Sequence, residues 1–117
     1  MASAPYRLIL RRRGEVEKSA HPSLDAVLDA LEDETRVAAN TQVPHVEHAL
    51  GRSYEPSEQV AVRAEVRGPG GLRAGIDVRG DGSATAYTGV IWRRPLQPRD
   101  HEDAWKALRR ALSDADG

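Results

Sequence analysis

The sequence predicts an α+β domain: an antiparallel sheet of about five strands, built from an N-terminal hairpin and a three-stranded meander, with two amphipathic helices packed on one face. Three observations lead to this prediction. Residues 59–92 contain three alternating apolar and polar runs separated by glycine-rich turns. Residues 6–19 repeat the alternation around one glycine, and apolar residues recur at helical spacing in 24–38 and 104–112. A chain of 117 residues is long enough for one modest core, so we expect a single domain over residues 1–117.

The turn with the clearest signal is the Gly-Asp-Gly-Ser segment at 80–83. Asp-Gly at its centre favours a two-residue type I′ turn, in which both central residues have positive φ. Such a turn would place Ile76 opposite Tyr87, and Tyr87 would then join the apolar face under the helices. The alternate residues of the third meander strand would point away from the helices: Ala84, Ala86, Thr88, Val90 and Trp92.

The first turn of the meander, Pro-Gly-Gly at 69–71, needs an odd number of loop residues. A two-residue loop would set Val66 against Arg73, which places a core residue opposite a surface residue. A three-residue loop aligns Val66 with Ala74 and supplies glycine where a bulge needs positive φ. The same register places Arg63 opposite Asp77.

The N-terminal hairpin is expected to close through a three-residue loop, Arg12-Arg13-Gly14, with glycine in third position. That register places Leu10 opposite Val16 and brings Arg11, Arg12 and Arg13 to the hairpin tip. A basic tip can contact phosphate groups. A solvated turn explains the same residues without a ligand. With the strands numbered along the chain, the orders 2-1-3-4-5 and 2-1-5-4-3 both keep all neighbours antiparallel.

Two helices are expected on either side of the meander. Ser23 is a good N-cap for the first, which should run to about Asn40 with its acidic side in solvent. The second is expected from about His101 to Ser113 with Asp100 as its N-cap. Residues 41–58 are expected to form a long irregular connection, and residues 1–4 and 114–117 are expected to fray.

Composition restricts the function classes. The chain contains no cysteine, which excludes disulfides, thiolate nucleophiles and cysteine-bound metals and fits a cytoplasmic protein. No apolar run is long enough for a membrane span, so we expect no membrane partner. The formal net charge is −1, yet residues 1–13 carry four arginines and no acid, whereas 14–40 carry seven acids and two bases. The two signs could neutralise each other within the fold or could mark a binding surface.

No motif indicates catalysis or a cofactor. His45 and His48 share one helical face and are the only clustered candidates for metal ligands. A zinc site needs a third and usually a fourth ligand, and two exposed polar residues on a short helix explain the pattern equally well. No nucleophile elbow and no phosphate loop is present, so we expect neither enzymatic activity nor a resident metal.

The outward face of the meander is the predicted site of function. We expect a non-enzymatic protein-interaction module that uses this face around Trp92 to bind a protein partner or a second copy of itself, although the hairpin or residues 41–58 could instead cover Trp92. The predicted partner-binding residues are Arg63, Arg67, Arg73, Arg79, Val90 and Trp92. The alternative is a nucleic-acid-binding domain that uses the same arginines together with Arg7 and the hairpin tip.

Overall fold

The computed structural model describes residues 4–12, 14–41, 60–89 and 94–116. Strands β1 (Tyr6–Arg12) and β2 (Glu15–His21) precede helix α1 (Leu24–Thr41). Strand β3 (Val60–Gly68), the turn Pro69–Gly71, and strands β4 (Leu72–Arg79), β5 (Ala84–Thr88) and β6 (Arg94–Pro95) follow. Helix α2 (Ala104–Asp116) completes the order.

The described strands form one antiparallel sheet in the order β2-β1-β3-β4-β5-β6. The α+β class is therefore confirmed, and the five long strands take the first of the two expected orders. The sequence does not predict the short strand β6, because proline cannot donate a ladder hydrogen bond and favours the end of a strand. This strand pairs with β5 at the edge of the sheet, where proline is tolerated.

Both helices pack on the same face of the sheet and bury one core. Its most buried side chains come from every layer: Leu8, Val27, Leu31, Ala64, Val66, Ile76, Val78 and Leu108. The helices are joined inside it by polar groups, because the indole nitrogen of Trp105 donates to the hydroxyl of Thr35 at 2.7 Å. Thr35 in turn donates to the carbonyl oxygen of Leu31 at 2.6 Å, so neither buried group of this pair lacks a partner.

The loop between β3 and β4 has the predicted length of three residues, and Val66 lies opposite Ala74. The prediction for the loop between β4 and β5 is wrong. Gly82 has φ of 87°, but among the described residues other than glycine only His101 has positive φ, so Asp81 does not adopt a type I′ conformation. The amide of Gly82 donates to the carbonyl of Arg79, and the amide of Arg79 donates to the carbonyl of Ser83, which closes a three-residue loop.

This extra loop residue shifts the register by one and reverses the two sides of β5. Val78 lies opposite Ala84, and Ala86, expected on the outer side, is 1% exposed in the core. Tyr87, expected in the core, lies opposite Gly75 on the other face.

The loop of the N-terminal hairpin is one residue shorter than predicted, whereas the β4–β5 loop is one residue longer. Arg12 lies opposite Glu15, which leaves two loop residues instead of three. Leu10 therefore lies opposite Glu17, and Val16 points away from the helices with 53% of its surface exposed. Gly14 has positive φ, as expected for a glycine in this turn.

Helix α1 begins as predicted, since the Ser23 hydroxyl accepts the amide of Ala26 at 3.0 Å. Helix α2 begins later than predicted. Asp103, not Asp100, is its N-cap and accepts the amide of Lys106 at 2.8 Å. A turn in which the Glu102 carboxylate accepts the amide of Arg99 occupies the preceding residues, and the helix continues to Asp116 instead of ending at Ser113.

The acidic side of α1 is not simply solvated, as the sequence suggests, because three of its carboxylates form ion pairs. Arg109 of α2 binds Asp29 at 2.6 Å and Glu32 at 3.3 Å. Arg12 of β1 binds Glu34 at 2.6 Å. The Arg12–Glu34 pair joins a basic strand to the acidic helix, as the neutralisation interpretation expects, whereas the pairs of Arg109 join the two helices to each other.

Candidate binding surface on the helix-free face

The face of the sheet opposite the helices is defined by strand alternation. Because Leu8 and Leu10 point into the core, their neighbours on β1 point the other way. Directly paired residues have their side chains on the same face, so the strand register identifies the residues of this face on the neighbouring strands. No described helix covers this side. We call it the helix-free face; its side chains on the four central strands are Arg7, Ile9, Arg11, Arg63, Glu65, Arg67, Arg73, Gly75, Asp77, Arg79, Thr85 and Tyr87.

The main feature of this face is a row of three arginines side by side across three strands. Arg7 of β1 lies opposite Arg67 of β3, and Arg67 lies opposite Arg73 of β4. Like charges in directly opposite positions of a sheet destabilise it. Among the described residues, the only acidic partner of these three arginines is Glu65, which lies 3.4 Å from Arg67. We call this set the arginine row.

The next row is largely buried. It runs from Ile9 through Glu65 and Gly75 to Tyr87, with exposures of 5% for Ile9, 7% for Glu65 and 4% for Tyr87. Gly75 is required here, because a Cβ atom would clash with the carbonyl oxygen of Ala64 and lie 2.6 Å from the Tyr87 hydroxyl. The tyrosine ring thus occupies the space that a side chain at position 75 would need.

The third row contains a local ion pair. The guanidinium of Arg63 donates to both carboxylate oxygens of Asp77, at 2.9 and 3.2 Å, as the predicted register requires. Hydrogen bonding to Asp77 raises the pKa of Arg63 above its ordinary value, although burial opposes the shift. Arg11, across from Arg63, is exposed. A two-pronged pair of this kind leaves Arg63 little capacity for an external ligand.

The predicted site residues are therefore only partly brought together. Arg67 and Arg73 lie in the arginine row, Arg63 is held by Asp77, and Arg79 lies at the end of β4 opposite Val60. The hairpin-tip residues separate, because Arg11 lies on the helix-free face and Arg12 points to the helix side, where Glu34 binds it. The remaining predicted residues lie outside the described ranges: Arg13, His45, His48, Val90 and Trp92.

Sequence reasoning misses four members of this face: Ile9, Lys18, Thr85 and Tyr87. Lys18 is exposed on β2 opposite Ile9. Strand β2 is therefore the fourth strand, after β1, β3 and β4, that has a cation on this face. The available signal for Tyr87 is Gly75, since an interior strand glycine often marks a place where another group approaches closely. The signal for Ile9 is an apolar run without alternation in β1, which is typical of a strand covered on both faces.

Two concave regions lined by described residues lie near the sheet edges. One of about 520 Å³ lies between the end of α2 and the β4–β5 ends, lined in part by Leu72, Leu96, Leu112 and Arg73. The other, of about 360 Å³, lies between β2 and α1 and includes Glu17, His21, Asp33 and Glu34. Within the described ranges, no three histidine or carboxylate side chains are close enough to hold a metal ion.

Comparisons with protein-family models, curated proteins and solved structures find no match for this chain. In the part of the chain that the structure describes, neither helix has the length and apolar character to cross a bilayer.

Proposed function

We propose that this protein is a non-enzymatic interaction module whose helix-free face binds an acidic segment of a protein partner. The observation that supports this proposal is the arginine row, because Arg7, Arg67 and Arg73 lie abreast and only Arg67 is paired with an acid in the described ranges. A carboxylate-rich ligand would replace repulsion across this row with charge-assisted hydrogen bonds.

The distribution of ion pairs elsewhere supports the same proposal. The described arginines outside this face are largely bound within the fold, as Arg12, Arg36, Arg109 and Arg110 each contact a carboxylate. Arg7, Arg11 and Lys18 are exposed together on the β1–β2 side of the helix-free face. Among the described residues, most cations without a carboxylate partner therefore lie on this face, whereas Arg94, Arg99 and Lys106 are exposed elsewhere.

A second copy is a poor ligand for this face, because two arginine rows brought together would repel each other. A nucleic acid is also less well matched. Proteins that bind single strands on a sheet stack bases on exposed aromatic rings. Tyr87, the aromatic residue described on this face, is only 4% exposed. An acidic peptide needs no such ring, so it fits the described face better.

The test is fluorescence anisotropy with a dye-labelled oligoglutamate peptide at low ionic strength. Arg7→Ser and Arg73→Ser should each weaken binding about tenfold, which corresponds to about 1.4 kcal/mol. Arg99→Ser removes an equal charge from an exposed loop residue outside the helix-free face and should leave the affinity unchanged.

Two outcomes would reject the proposal. Equal losses for Arg73→Ser and Arg99→Ser would show a general charge effect without a defined site. Tighter binding to a mixed oligonucleotide pool than to oligoglutamate, with a steep decrease on adding salt, would establish the nucleic-acid alternative.

A further inference from the structure

A second interaction surface lies at the β2 edge of the sheet, and it is independent of the arginine row. Strand β2 ends the sheet order and is paired only with β1 among the described strands. It is seven residues long, its register with β1 shows no bulge, and six of the seven residues are exposed. A long regular edge presents unpaired backbone groups, which can pair with another strand.

We propose that two copies of the protein associate through antiparallel pairing of their β2 strands across a two-fold axis at Ser19. The two sheets would then join into one continuous sheet. This arrangement needs β2 to be complementary to itself, because a two-fold interface brings the same strand from both copies together.

The backbone groups available for pairing follow from the hairpin. Arg12 and Glu15 flank a two-residue loop and so form a hydrogen-bonded pair. Alternation then leaves the amides and carbonyls of Val16, Lys18 and Ala20 pointing to the free edge. The alternation of hydrogen-bonded and non-hydrogen-bonded pairs also holds at the β4–β5 hairpin. There Arg79 and Ser83 form a hydrogen-bonded pair, because the amide of Arg79 donates to the carbonyl of Ser83 at 2.8 Å.

Charge disfavours the two registers whose axis lies at Lys18 or at Glu17. A two-fold axis at Lys18 would bring two ammonium groups together, and an axis at Glu17 would bring two carboxylates together. An axis at Ser19 places Glu17 of one copy opposite His21 of the other and Lys18 opposite Ala20, with no like charges across. In this register Lys18 and Ala20 exchange backbone hydrogen bonds, and the next residue after the paired segment is a proline, which has no amide hydrogen.

The same geometry determines how the two copies are oriented. An axis perpendicular to the sheet keeps both pairs of helices on one side and both arginine rows on the other. The dimer would therefore present two copies of the proposed ligand surface in one plane, so that a partner with two acidic segments could bind both.

The absence of cysteine from the sequence allows a direct test by cross-linking. Residues opposite each other at a non-hydrogen-bonded position are about 4.5 Å apart between Cα atoms, which is within disulfide range. Ser19→Cys should therefore form a covalent dimer on mild oxidation. Glu17→Cys is the matched control, because the two substituted residues would lie too far apart across the axis to form a bond.

The second measurement is solution mass by light scattering over a range of protein concentrations. The wild-type protein should approach twice the chain mass of 12.8 kDa as concentration rises. Ala20→Pro removes an amide that points to the free edge and is not needed by β1, so it should fold with an unchanged circular dichroism spectrum and remain monomeric at the same concentrations.

Three results would overturn the proposal. These are a wild-type monomer at every concentration, a dimer that persists in a folded Ala20→Pro variant, or cross-linking of Glu17→Cys as fast as Ser19→Cys. If Ala20→Pro does not fold, the cross-linking comparison decides alone. Failure of oligoglutamate binding would leave each of these readouts unaffected, because the edge and the helix-free face are separate surfaces.

Discussion

Replacing Arg73 with threonine should stabilise the free protein, because this residue contributes charge repulsion to the arginine row. Arg73 is a better choice than the central arginine, Arg67, whose ion pair with the largely buried Glu65 would be lost. A directly opposite pair of like charges costs roughly 0.2–1 kcal/mol, and Coulomb's law at about 6 Å in water gives a similar figure of about 0.7 kcal/mol. Threonine is also well suited to a strand. We therefore expect a gain of about 0.5 kcal/mol.

The assay is urea denaturation followed by circular dichroism at low and at high salt. With a slope of about 1–3 kcal/mol per molar urea, the expected gain raises the midpoint by about 0.2–0.5 M at low salt. At about 1 M salt the Debye length is about 3 Å, so the gain from charge should largely disappear. Arg79→Thr is the matched control, since Arg79 lies on the same strand and face but opposite Val60, where no arginine faces it.

The result that would refute this reasoning is a loss of stability in Arg73→Thr at low salt, or a gain that salt does not reduce. Either outcome would mean that the row is not a repulsive cluster in the free protein. The same variant should weaken oligoglutamate binding about tenfold, so a gain in stability and a loss in affinity are expected together.

Three further predictions concern the parts of the fold that hold this face in position. Thr35→Val should lower the free energy of unfolding by about 1–3 kcal/mol, because it leaves the indole N–H of Trp105 buried without its acceptor; a Tm equal to wild type would contradict this. Gly75→Ala should cost about 1–3 kcal/mol by overpacking against the neighbouring strand and the tyrosine ring, measured by urea denaturation, and a loss below about 0.5 kcal/mol would show that the ring moves aside freely. The hydrogen bond from Arg110 lowers the pKa of Glu102 below its ordinary value of 4.5, so the unfolded state binds more protons. The stability from this pair is therefore present above about pH 4.5 and is lost as the pH falls through the folded-state pKa of Glu102. Glu102→Gln should make Tm less dependent on pH between about 5 and 2. An unchanged slope of Tm against pH would refute the assignment.

The sequence is sufficient to predict which segments form helices and which form strands, the length of the first meander loop, and the face on which the arginines of β3 and β4 lie. Each of these features follows from local alternation. The prediction fails at two hairpin loops by one residue each. Asp81-Gly82 suits a two-residue loop as well as a three-residue loop, since Gly82 adopts positive φ in both. The apolar pattern cannot correct the error, because Tyr87 is the only large side chain of β5 and its size favours a place in the core.

The arginine row itself could not be predicted from local pattern. Its members come from three strands, and Arg7 is adjacent to Arg67 only because β1 lies beside β3 with one particular register. That register depends on packing between segments that are far apart in the sequence. The residues at 90–92, on which the predicted site is centred, reach the outer face only through the incorrect loop, so that argument no longer supports a role for Trp92.

The ion pairs between the two helices have a consequence for the rate of folding. Arg109 contacts Asp29 across a separation of 80 residues, and Arg36 contacts Asp103 across 67. The chain must close these long loops before the contacts stabilise it, and the sheet pairs β1 with β3 across a long connection as well. Domains dominated by such non-local contacts fold in about milliseconds to seconds, so stopped-flow refolding should show a phase on that timescale that Arg109→Ala affects mainly through faster unfolding.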